Sequence, residues 1–86
     1  MTRLLRANGN AGDQMETESY EILKSYLLKS IRDEKELDAD LLLARALNLF
    51  EYVIEDNVEW HILSVLDDLE GQNLLLLEQN KYRLNS

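Results

Sequence analysis

Cysteine and proline are absent from this 86-residue chain, and histidine, tryptophan and phenylalanine occur once each. Without cysteine there is no disulfide and no thiolate metal site. The lack of thiols also suits a reducing cytoplasm. The single histidine, His61, has no second histidine with which to start a metal site. Without proline, no helix is interrupted from within. Long apolar runs are missing as well: the longest, Leu41 to Ala44 and Leu74 to Leu77, are four residues each, against about 20 for a spanning helix. The opening stretch, Met1 to Asn10, lacks the apolar centre of a secretory leader. The expectation is a cytoplasmic chain with no membrane segment, no metal and no cofactor.

Glycine is scarce, with three in the chain. Asn8-Gly9-Asn10-Ala11-Gly12-Asp13 has too few glycines and no following Lys-Ser/Thr for a phosphate-cradling loop. Nucleophile chemistry is equally thin. Ser25, Ser30 and Ser64 have neither a neighbouring base nor a glycine-flanked elbow, and His61 reads as a partly exposed helix residue. The carboxylate-rich run Asp33 to Asp40 lacks the central glycine and distal glutamate of a calcium loop. No catalytic residue is expected.

Positive charge is the other shortage. Nine Lys and Arg face seventeen Asp and Glu, a net charge of −8. Between Glu16 and Glu70 there are fifteen acids against five bases, and Arg3, Arg6, Lys81 and Arg83 lie near the two ends. Such a body repels phosphate backbones, whose neutralisation supplies most non-specific nucleic-acid affinity. It attracts a basic protein surface instead.

What the chain has in plenty is apolar residues at helical spacing. Helix one is expected over Glu18 to Arg32, with Thr17 as its cap and Tyr20, Leu23, Leu27 and Ile31 on its inner face. Asp33-Glu34-Lys35-Glu36 is a charged break. Helix two is expected from Asp38, a good capping residue, to Glu55, with Leu37 stapling onto Leu42. Asp56-Asn57 is the next break, with Asp56 and Glu59 spaced for reciprocal capping. Helix three carries Val58, Ile62, Val65, Leu66 and Leu69 and ends near Gly71. Residues 73 to 84 read as a short fourth helix on propensity, the alternative being a hairpin turning at Gln79-Asn80. The expected fold is therefore all-α. Residues 1–15 are a flexible arm, 16–71 a three-helix dimerisation and regulatory domain, and 72–86 a C-terminal helical extension.

Helix two is apolar well beyond the arc of about 100° that one core needs, and only Arg45, Asn48, Glu51 and Glu55 trace a polar line along it. A chain this short buries only about 60% of its unfolded surface, so oligomerisation is the remaining source of support. A homodimer seam is expected from Leu42, Leu43, Leu47, Leu49, Phe50, Val53 and Ile54. A partner surface is expected from Trp60, an aromatic of the hot-spot type, with Asp67, Asp68 and Glu70. These acids sit at the negative end of helix three, where they are unfavourable unless used.

Several of these residues carry a family likeness. Glu21-x-Leu23, Tyr26-Leu27, Ile31-Arg32-Asp33, Leu37-Asp38, Leu42, Ala44-Arg45, Leu47 and Phe50-Glu51 fall in a spacing that resembles the small enterobacterial two-component-system connectors, the AriR/YmgB-like biofilm and acid-resistance regulators. The likeness covers residues 18 to 70. It implies a helical homodimer without catalysis that binds a sensor kinase or response regulator and alters biofilm or stress output. Three other readings fit the composition: a DNA-binding transcription regulator with Arg3 and Arg6 as a groove arm, an acidic inhibitor, antitoxin or phage protein that covers a basic enzyme surface, and a structural helical subunit of a larger assembly.

Overall fold

A computed structural model describes residues 2–5, 11–54 and 57–85. Among the described residues there are three helices and five strands, in the order β1 (Thr2–Leu5), β2 (Ala11–Met15), α1 (Thr17–Glu34), β3 (Glu36–Asp38), α2 (Ala39–Phe50), α3 (Val58–Gly71), β4 (Leu75–Glu78) and β5 (Lys81–Leu84). The all-α expectation is thereby corrected: the fold is a mixture of helices and antiparallel sheet, not a helical bundle.

The helices arise where the apolar period placed them, with adjusted ends. α1 begins at Thr17 without a side-chain cap, so Thr17 is the first helical residue and not the cap. Asp38 does cap α2, its Oδ1 accepting from the N–H groups of Asp40 at 3.0 Å and Leu41 at 3.2 Å. α2 stops at Phe50, short of Glu55, and one further turn is closed by the Ile54 N–H on the Phe50 carbonyl. α3 starts after Asn57, whose backbone is left-handed; the expected partner in that cap, Asp56, lies outside the described residues. At the other end Asn73, not Gly71, takes the left-handed position at φ 62°. The Leu74 N–H bonds back to Leu69 O and the Asn73 N–H to Glu70 O, which together close the helix's orphan carbonyls.

The tail is the hairpin and not a fourth helix. β4 and β5 pair antiparallel with Glu78 opposite Lys81 and Leu77 opposite Tyr82. Gln79 and Asn80 both have positive φ, 51° and 62°, as a two-residue turn with the twist of its strands requires. β5 is central, with β3 on its other side through Leu37 opposite Tyr82, giving the order β3-β5-β4. β3 takes Glu36 from the expected charged break together with the staple residue Leu37 and the cap Asp38, after Lys35 turns to φ 68° at the end of α1. The N-terminal segment expected as an arm contains the pair β1–β2, with Thr2 opposite Met15 and an irregularity between Arg3 and Leu5.

One buried cluster ties these parts together. It takes Leu4 and Met15 from the first two strands, Leu23, Leu27 and Ile31 from α1, Leu42 and Ala46 from α2, Ile62, Val65, Leu66 and Leu69 from α3, and Leu75 and Tyr82 from the hairpin. α1 and α3 pack on the three-stranded sheet, α2 packs on α3, and β1 lies on α3.

Candidate functional site

Burial divides the residues expected at a dimer seam. Leu42, Phe50 and Ile54 lie in the chain's own core, at 0%, 5% and 7% exposure, and leave no surface for a partner. Phe50 meets Tyr26 edge-on at 5.3 Å between ring centroids. Leu43 and Leu47 are half-buried against the same core. Leu49 and Val53 are exposed. The seam as expected is therefore not one face; the inward side of α2 was counted together with the outward side.

What remains outward is still apolar. Leu41, Leu49 and Val53 lie along one side of α2 and its closing turn, spaced by whole multiples of four. Arg45 stands between them, 3.9 Å from Glu34. Tyr52, next to Val53, is the most exposed large hydrophobic side chain among the described residues, at 89%. An isolated exposed leucine is ordinary, but three exposed aliphatic side chains and an uncovered tyrosine together offer apolar contact area. Glu51 and Glu59, both exposed, flank this turn in sequence.

The partner-binding residues expected on α3 separate in the same way. Trp60 is 39% exposed and meets His61 edge-on at 5.0 Å. His61 Nδ1 lies 2.9 Å from the carbonyl of Asn57, a local contact that ties the ring to its own helix start. Asp67 faces solvent and Glu70 is half-buried. Burial, and then the charge of Asp67, push the Glu70 carboxyl above its ordinary pKa. Both acids act on Tyr82, whose hydroxyl is pushed up to about 12 by burial first and by Glu70 and Asp67 next. The structure thus brings Asp67 and Glu70 together beside the hairpin.

Asp68 does not join them. Its exposure is 1%, and it points inward to a polar junction between α1 and α3. The Tyr20 hydroxyl donates to Asp68 Oδ2 at 2.5 Å, and Gln72 Nε2 donates to the same oxygen at 2.6 Å and to the Tyr20 oxygen at 3.1 Å. Burial, followed by the bond to Asp68, raises the Tyr20 pKa to about 12. As a partner contact Asp68 is corrected: it is an internal strut. The junction was missed in the sequence, although a signal was present. Asp68 follows Val65 by three residues and precedes Gln72 by four, so all three share a helix flank.

The outer side of the sheet holds a shallow depression of about 170 Å³ lined by Glu36, Glu78, Gln79, Lys81 and Arg83. Its charges answer one another. Lys81 lies 3.3 Å from Glu36 and Arg83 donates to Glu78 at 3.0 Å, so neither sign is left over to hold an ion. Among the described residues no group of three or more metal-ligating side chains comes together, and no helix is long and apolar enough to cross a membrane. The chain matches no protein-family model, no curated protein and no solved structure.

Proposed function

We propose that this chain is a non-enzymatic regulator that acts in the cytoplasm by protein contact. Its docking surface is the outward side of α2 with the turn that follows, and its partner is a protein presenting an apolar groove with a basic rim. The observation that carries the reading is Tyr52 at 89% exposure next to Val53 at 58%, on a body of net charge −8. Apolar anchors supply contact area at an interface core, while the acidic surroundings speed encounter with a basic partner and exclude nucleic acid. A connector in a two-component pathway, touching a sensor kinase or response regulator, is the narrower form of this proposal. Its support is the spacing shared over residues 18 to 70.

Affinity capture with the full chain and with a Tyr52→Asp/Val53→Asp variant tests the reading. The wild type is expected to retain a discrete protein that the variant loses by at least tenfold, with unchanged helical content. For the narrower form, that protein is a sensor kinase or response regulator. An identical captured set for both chains would overturn the assignment of the surface.

A further inference from the structure

Strand β4 is an edge of the three-stranded sheet, and it lacks the usual guards. It reads Leu75-Leu76-Leu77-Glu78, with no proline, no lysine and no irregularity in its pairing to β5. The opposite edge, β3, is three residues long and carries Glu36 and Asp38 around Leu37, a short, charged edge of the kind that resists pairing.

The hydrogen-bond parity of β4 follows from its hairpin. Asn85 donates to the Leu74 carbonyl across the ladder at 3.0 Å. Alternate residues of an antiparallel strand share that direction, so Leu76 and Glu78 also bond inward to β5. Leu75 and Leu77 turn their N–H and C=O groups outward. Leu77 is 44% exposed and Leu74 is 37% exposed, so the edge lies at the surface.

We infer that β4 is the seam of a homodimer, joined edge to edge with its own copy about a two-fold axis. This edge is separate from the Tyr52–Val53 docking surface. The strand is complementary to itself in one register. With Leu76 opposite Leu76 of the second copy, Leu75 and Leu77 stand opposite each other twice, and their outward backbone groups form the hydrogen-bonded pairs. Each Leu77 then lies beside a Leu75 on the core-facing side. Little charge lies in the strand itself. Its one acid, Glu78, is held by Arg83 of the same chain at 3.0 Å. The product is a continuous six-stranded sheet, β3-β5-β4 followed by the same order reversed.

The absence of cysteine permits a clean test. In the inferred register the two Leu76 residues form a non-hydrogen-bonded pair with Cα atoms about 4.5 Å apart, inside the Cα range that a disulfide spans. Leu76→Cys is expected to cross-link nearly completely under mild oxidation, and Leu49→Cys on α2 is not. Light scattering of the unmodified chain is expected to give twice the 10.0 kDa of one chain. Leu77→Lys, with helical content intact, is expected to halve that mass. A monomeric wild type would overturn the inference, as would a dimer that cross-links through Leu49→Cys but not Leu76→Cys. Neither result touches the Tyr52–Val53 surface, whose capture assay reads independently.

Discussion

Asp68 shows how much one side chain decides here. Its carboxylate is buried at 1% exposure and takes hydrogen bonds from Tyr20 and Gln72. A buried polar group left without its partner costs about 1–3 kcal/mol. Asp68→Ala takes the carboxylate acceptor from the buried Tyr20 hydroxyl, so a loss of about 1–3 kcal/mol in unfolding free energy is expected by urea titration. Two tyrosines, Tyr20 in this junction and Tyr82 on β5, govern behaviour in base. Tyr20 and Tyr82 both have pKa values of about 12 in the folded chain, above the ordinary 10.0. Each raised pKa means that the folded state holds its proton more tightly than the unfolded state does. The stability this contributes is complete below pH 10 and is lost as pH rises towards 12. Chemical unfolding as a function of pH is expected to show that decline, and Tyr20→Phe is expected to flatten it relative to wild type.

At the scale of elements, the β4–β5 turn is under conformational load. Gln79 sits at φ 51°, a region that costs a residue other than glycine about 1–2 kcal/mol and that asparagine tolerates better. Gln79→Asn is expected to raise stability by up to about 1 kcal/mol, read as a higher thermal midpoint. The same hairpin marks the limit of what was legible. Tyr20, Leu23, Leu27 and Ile31 announced α1 by period, and Asp38 announced the start of α2 by its capping chemistry. Leu74 to Leu77 has no period, because four leucines in a row fit a helix and a buried strand alike. Helix propensity then favoured the wrong one, since it does not register the cross-strand partners Leu84 and Tyr82, opposite Leu75 and Leu77, that reward an extended chain. β3 was hidden for a related reason. Its three residues owe their conformation to pairing with β5, more than forty positions away. The apolar excess of α2 was legible, but its division was not. Which leucines face α3 and which face water depends on where α3 lies, and that contact is not written in α2.

For the whole molecule, the consequence is a slab of 29 × 29 × 18 Å, with little depth to hide side chains. Both ends of the chain contribute to its core, through Leu4 and Tyr82, yet Leu41, Leu49, Tyr52 and Val53 stay outside. That remainder is the basis for reading the chain as a protein that works in contact with another. The most direct measurement places a photo-reactive phenylalanine analogue at Tyr52 in the otherwise unaltered chain and illuminates living cells. One discrete covalent adduct, heavier than two chains, is expected from Tyr52 and none from the exposed control position Glu18. No adduct at Tyr52, or a diffuse set equal to that at Glu18, would contradict it.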